Sequence, residues 1–237
     1  GVLEIFNRTP LDCNEDWLDF METLAGQAAI AIDNANLFDN LQRSNIELGL
    51  AYDTTLEGWA RALELRLSDA AGQSRRMADV TVMLGRALGL TEEELVHVRR
   101  GALLHDIGNL GVPEAVLLKT EPLTDDDWRA IRSHPTHACD LLQQVAYLRP
   151  ALEIPHLHHE RWDGTGYPDG LKGNQIPLAA RIFAVIDVYE SMRSPRPYRQ
   201  ALSREAALDY LREQSGRHFD PDVVPVFISI EEDRYVS

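Results

Sequence analysis

The chain has 237 residues, 44% hydrophobic and 26% charged, enough to bury a substantial core in one or two globular domains. With 38 acidic against 23 basic residues its net charge is -15, a field that repels polymeric nucleic acid and anionic membrane surfaces. No apolar run approaches the ~20 residues of a membrane span, and Cys13 and Cys139 are isolated, so no disulfide is suggested and a reducing cytoplasm is the expected location.

Residues 2–8 (VLEIFNR) alternate as one strand, ended by Thr9-Pro10. The abrupt start, without a basic-then-apolar signal, suggests a piece cut from a longer protein. Asn14 to Asp16 then supply cap chemistry and early negative charge for a long helix. Within it Leu18, Met21, Ala25, Ala28, Ile32 and Ala35 recur at alternating three- and four-residue steps, and Phe38 and Leu41 extend the stripe. That spacing makes a narrow seam for close helix pairing. It suits a dimer contact and the inner face of an intramolecular helix equally well.

From Asn45 to Arg66 the helical pattern continues through Leu48, Tyr52, Leu56, Trp59 and Leu63. Past Gly72 nearly everything predicts helix. Thr91 with Glu94, and Thr124 with Asp127, have capping-box spacing, Gly89 marks a helix end, and Ser203–Gln214 is amphipathic and stops at Gly216. Residues 160–178 (ERWDGTGYPDGLKGNQIPL) break the pattern with four glycines and two prolines. A loop that long inside a compact domain is usually functional, and Trp162, Tyr167, Leu171 and Ile176 suggest that it packs onto the body.

Two adjacent pairs carry the chemistry. His105-Asp106 sits inside the apolar run GALLHDIGNL, and His158-His159 follows some fifty residues later. Polar groups in so apolar a segment are costly unless something compensates them. On a helix these neighbours would project about 100° apart, toward two faces of one metal cluster. His134 opens a further helix with Pro135 in its first turn. Asp187, in RIFAVIDVY, is surrounded by Ile182, Phe183, Val185, Ile186 and Val188. A carboxylate there is expected to be paired, protonated or metal-bound, a salt bridge and a metal being equally compatible. Four imidazoles and two carboxylates together suit two first-row ions such as iron or manganese better than calcium or structural zinc. Two such ions ~3.5–4 Å apart can clamp a displacement at phosphorus.

The succession HDIGN, HPTHA, HHERWDGTGYPDGLKG, RIFAVIDVYESMRSPRPYR and GRHFDP resembles the HD-GYP family, from about Tyr52 to Phe227. The resemblance implies an all-α fold: an HD-domain helical bundle with extra C-terminal helices and a long GYP loop. It also implies a metal-dependent phosphodiesterase converting cyclic di-GMP, or a related cyclic dinucleotide, to pGpG or GMP. By motif, the metal ligands are His105, Asp106, His134, His158, His159 and Asp187. Asp106 would bridge two divalent ions, iron or manganese, with an activated hydroxide as nucleophile. Asp163, Gly164, Gly166, Tyr167 and Pro168 form the loop motif. Tyr167 is expected to anchor the loop, the glycines to serve backbone geometry, and Asp163 to orient a histidine or form a turn. Arg196 and Arg199 match the family's basic residues near the substrate phosphates. His137 and His156 are expected at the surface or behind the ligands, and His97 and His218 in structural roles.

The first forty residues, through GVLEIFNR and LAGQAAIAIDNANLF, are similar to the end of a GAF domain. The expected organisation is residues 1–44 as a sensor remnant of strand plus helix, 45–66 as a connecting helix, and 67–237 as the HD-GYP domain. A homodimer through the N-terminal helix is expected, and no membrane segment in this fragment.

Two positions depart from the family pattern. Its third-metal segment, resembling ExxGH, reads here as Asp69 and Gln73, which implies a binuclear centre with at best a weak third position at Asp69. Asn109 replaces the lysine of HDxGK, which the resemblance places at the substrate phosphate or the leaving oxygen. Loss of that charge would lower turnover on the order of 10²–10³. The competing function is therefore a weakened or inactive module that binds a cyclic dinucleotide or a partner protein. A third is a general HD phosphohydrolase acting on another nucleotide.

Overall fold

The structure, a computed structural model, describes residues 1–8, 10, 13–67, 71–195 and 200–233. Among these every regular element is helical: α1 (Glu15–Leu67), α2 (Gln73–Ala87), α3 (Glu92–Leu103), α4 (Glu114–Leu117), α5 (Asp125–Arg132), α6 (His134–Leu142), α7 (Glu153–Leu157), α8 (Leu178–Arg193), α9 (Arg204–Glu213) and α10 (Val223–Asp233), with 3-10 turns at Ile107–Gly111, Ala146–Ala151 and Gly173–Gln175. The fold is all-α, and internal contacts divide the chain into two units, Gly1–Thr54 and Thr55–Ser237.

In the first unit the strand expected at residues 2–8 does not form. A strand completes its backbone hydrogen bonds only beside another strand, and the described residues supply none. The start of α1 follows the cap chemistry: Asn14 Oδ1 accepts from the Trp17 N–H at 2.9 Å. The apolar stripe is helical but open, with Leu18 53% and Phe38 68% exposed.

The second unit is built around α8. Ile182, Phe183, Val185 and Ile186 are fully buried, and α8 packs on α2, α7, α9 and α10. A helix apolar on nearly every side belongs inside a bundle. Met77 and Leu84 of α2, Phe227 of α10 and Phe219 complete this core. Leu56, Ala60 and Leu63 are buried at the end of α1. There Glu64, 5% exposed, accepts from the N–H groups of Gly72 and Ser74, each at 2.8 Å. Its carboxylate supplies α2 with the cap that Gly72, at φ +75°, cannot.

Both capping boxes form: Thr91 with Glu94 opens α3, and Thr124 with Asp127 opens α5. Gly89, at φ +88°, follows the end of α2. Residues 160–178 are irregular apart from the turn at Gly173–Gln175. Ile176 is buried, and Trp162, Tyr167 and Leu171 are half-buried, so the loop lies on the body.

Candidate metal centre

His105 and Asp106 are not on a helix. Helix α3 ends at Leu103, and both residues occupy the turn that tightens into the 3-10 segment Ile107–Gly111. The cause is packing. This segment lies on α6 so closely that a Cβ on Gly108 would sit 1.8 Å from the His134 carbonyl oxygen and 2.7 Å from the Ala138 nitrogen. The glycine of the HDIG sequence is therefore the contact that brings the pair to His134, the first residue of α6.

Three histidines share one device. Nδ1 of His105 donates to the Ala102 carbonyl at 2.9 Å, that of His134 to Ile131 at 2.8 Å, and that of His158 to Ile154 at 2.8 Å. A carbonyl only accepts, so in the neutral ring Nδ1 carries the proton and Nε2 is left with its lone pair. Those Nε2 atoms converge. His134 Nε2 lies 3.4 Å from His158 Nε2 and 3.4 Å from Asp106 Oδ1, and His105 Nε2 lies 3.4 Å from Asp106 Oδ2. Donor nitrogens of His134, His158 and His159 all lie within 4.8 Å of one another. Two imidazole lone pairs cannot hydrogen-bond each other at 3.4 Å, whereas a cation satisfies both. Tying the distal nitrogen to a carbonyl is how proteins orient histidine toward a metal. The donor set of imidazole and carboxylate fits a first-row divalent ion.

The electrostatics of three of the four imidazoles agree. Burial, reinforced by the neighbouring imidazoles, pushes the His158 pKa well below its ordinary value, lowers that of His134, and takes His159 down to about 3. These rings remain neutral at physiological pH, the form in which imidazole can hold a metal. Asp106 stays ionised: burial opposes the charge, but His105, His134 and His158 hold its carboxyl well below the usual carboxylate range. Burial likewise opposes charge on His105, and the adjacent Asp106 outweighs it, raising that imidazole to about 9.

Asp187 reaches the same place. It lines a cavity of about 350 Å³ together with His158 and His159, and it acts electrostatically on His105. Ile182, Phe183, Val185 and Ile186 instead face the core, and Asp187 is half-buried at the cavity wall beside Val188. All six expected ligands thus gather in one region. Asn109 lies in the 3-10 turn and is 6% exposed. Asp69, Arg196 and Arg199 lie outside the described residues.

The GYP loop stands beside the cluster. Tyr167 stacks on His159 with ring centroids 4.8 Å apart, and the Arg132 guanidinium lies 5.6 Å from the Tyr167 ring centre. Asp163 Oδ1 accepts from the Thr165 N–H at 3.0 Å and its hydroxyl at 2.6 Å, which closes the turn. Gly164 takes φ +84°, and a Cβ on Gly166 would meet the backbone of Glu160 and Arg161 at 2.4–2.7 Å. The Tyr167-Pro168 peptide is cis. His156 bonds Asp169 Oδ2 at 3.2 Å and the Pro135 carbonyl at 3.4 Å, away from the donor atoms.

Two residues carry more than their sequence context suggested. Glu160 is 2% exposed and accepts from three loop amides, Asp169, Gly170 and Leu171, at 2.7, 2.9 and 3.1 Å. Its position between the paired histidines and a glycine-rich loop was the available signal, because such a loop presents unpaired amides. His218, expected to be structural, lines the cavity with His158, His159 and Asp187. Only the following Phe219 and Asp220 hint at a buried turn in the sequence.

A family profile described as an HD domain matches residues 58–223. The cyclic di-GMP phosphodiesterase response regulator RpfG of Xanthomonas campestris pv. campestris is 43% identical over 176 residues, 73% of this chain and 47% of that protein. The 3'3'-cGAMP-specific phosphodiesterase 3 of Vibrio cholerae is 32% identical over 76% of this chain and 39% of its own. The chain thus spans less than half the length of these curated relatives. Among solved structures, the cyclic GMP-AMP specific phosphodiesterase V-cGAP3 of V. cholerae superposes with a TM-score of 0.62 at 24% identity, covering 77% of this chain and 49% of that one. That likeness establishes the shared fold.

Proposed function

The chain belongs to the HD domain family, and within it we propose that this protein is a metal-dependent phosphodiesterase of the HD-GYP branch, hydrolysing cyclic di-GMP to linear pGpG. The observation that carries the reading is the facing pair of imidazole nitrogens, His134 and His158 at 3.4 Å, each with its other nitrogen tied to a carbonyl. The names of the relatives supply the substrate class. His105, Asp106, His134, His158, His159 and Asp187 would hold two divalent ions, iron or manganese. Bound there, the ions supply Lewis acidity toward the phosphodiester and toward water.

The chain's own residues position the substrate. Tyr167 covers one face of His159, Glu160 fixes the loop that carries Tyr167, and Arg132 adds positive charge beside it in an otherwise acidic protein. Arg196 and Arg199, which lie outside the described residues, match the family's phosphate-binding positions by motif, and a guanidinium there would suit the substrate phosphates. Asn109 favours a second reading, a catalytically weakened module that binds the dinucleotide. It is uncharged and buried where the family motif carries lysine.

Metal-loaded protein assayed with cyclic di-GMP and with 3',3'-cGAMP, products separated by chromatography, decides between these readings. Linear dinucleotide formed by the wild type and lost in Asp106→Asn supports the enzyme. Tight binding without product supports the module, and a large gain in Asn109→Lys identifies the residue responsible. We also propose that the open stripe on α1, from Leu18 to Leu41, pairs two copies of the chain. Its three- and four-residue spacing is that of a coiled-coil seam.

A further inference from the structure

His218 is one of the eight histidines in the chain and carries none of the expected ligand roles, yet it shares a cavity wall with His158, His159 and Asp187. Its mount is rigid. The ring stacks on Phe219 with centroids 4.2 Å apart and planes 10° from parallel, and Phe219 is 1% exposed. The backbone N–H of His218 donates to the Gln214 carbonyl at 2.9 Å, and its own carbonyl accepts from the Trp162 N–H at 3.0 Å. The Asp163 N–H donates to the Arg217 carbonyl at 2.9 Å. The turn is thereby joined to the loop that leaves His159. Gly216 at φ +78° makes the turn possible, and the buried Asp220–Arg181 ion pair pins its far end.

The ring so held has a buried Nδ1 with no hydrogen-bond partner among the described residues. His97 and His137 share that feature, but neither lines this cavity. That nitrogen is closed off from the cavity, which leaves Nε2, with no hydrogen-bond partner among the described residues, as the ring atom open to what enters it. The rest of the wall includes Val188, Met192, Leu202 and Tyr210, apolar surface suited to the sugar and base of a nucleotide. The phosphate is the part of a nucleotide that must lie nearest the clustered histidines.

We propose that His218 is a substrate-binding residue whose imidazole donates a hydrogen bond to the phosphodiester held at the histidine cluster, so that it places the dinucleotide without holding the metal. The proposal rests on the phosphodiesterase reading above. A neutral imidazole suffices for it, since an N–H donates to an anionic oxygen without a full charge.

The test compares wild type with His218→Ala, His218→Asn and His218→Phe, all metal-loaded, for metal content, melting temperature, KM and kcat with cyclic di-GMP, and Kd for pGpG. His218→Phe retains an aromatic ring against Phe219 and so controls for folding. The expected result is unchanged metal content in all variants. KM and Kd should rise about tenfold in Ala and Phe, the size of one hydrogen bond to a charged group, and Asn should restore part of the loss. Binding equal to wild type in Ala and Phe overturns the proposal while leaving the phosphodiesterase reading intact. So does a loss that follows metal content or melting temperature. A metal-loaded wild type that neither binds nor cleaves a cyclic dinucleotide overturns both.

Discussion

Residues 15–54 and residues 101–193 are both helix-rich and both apolar, but they use their apolar side chains differently. The first stretch leaves Leu18, Ile30, Ile32, Leu37, Phe38 and Leu41 more than half exposed. The second buries Ile182, Phe183, Val185 and Ile186 completely and, on that frame, brings histidines and carboxylates to one place. Periodicity thus specifies a helix in both stretches, while burial requires a partner element. Within the buried stretch carbonyls meet the Nδ1 atoms of His105, His134 and His158, and three loop amides meet the Glu160 carboxylate.

The sharpest way to break the buried region is at Gly108. Ala at this position must displace the backbone of α6, because its Cβ would fall 1.8 Å from the His134 carbonyl oxygen. We expect Gly108→Ala to cost on the order of 3 kcal/mol or more, read by denaturant unfolding, with metal affinity falling alongside. Wild-type stability in this variant would contradict the packing argument. The equivalent change in the exposed region, Gly49→Ala, meets nothing within 4 Å and should be neutral or slightly stabilising.

Glu160 comes next. Glu160→Ala leaves three loop amides without their acceptor and should destabilise by about 2–3 kcal/mol, while Glu160→Gln, retaining one carbonyl oxygen, should lose less. Thermal unfolding checks the order, and equal losses in both would deny the loop-clamping role. The seam on α1 predicts an effect on assembly without an effect on the site. Leu18→Glu with Ile32→Glu should convert a dimer to a monomer in light scattering and leave metal content unchanged. A wild type that is monomeric at every concentration removes the pairing proposal.

The smallest effect is the cap of α5. The side-chain bond from Lys119, then the bonds from Thr124, hold the Asp127 carboxyl down at about 2. A group whose folded pKa is depressed contributes stability that is complete above its unfolded pKa of ~4 and is lost as pH falls through the folded value. Hydrogen exchange in the first turn of α5 should therefore separate Asp127→Asn from wild type at pH 5, and the two should converge near pH 2. A difference that persists at pH 2 assigns the effect to something other than the carboxylate.

Much of this was legible in the sequence. The two capping boxes, the helix end at Gly89 and the irregular, packed loop at 160–178 follow from local chemistry and appear as expected. The six-residue cluster was legible through its motif, since sequence spacing alone gives no convergence. Three features were hidden because they depend on partners distant in the chain. Residues 2–8 have strand periodicity but no neighbouring strand. His105 and Asp106 leave the helix because Gly108 must meet α6. His218 looks like an ordinary core histidine until the 214–220 turn is seen to end at the cavity.

Metal binding tests the account at its centre. Stripped protein titrated anaerobically with Mn²⁺ or Fe²⁺, with bound metal determined by elemental analysis, should take up two equivalents per chain. His134→Ala with His158→Ala should abolish that uptake while the helical circular dichroism persists. A folded wild type that binds less than one equivalent, or a double variant that binds as wild type does, would contradict the claim that these histidines form a metal centre.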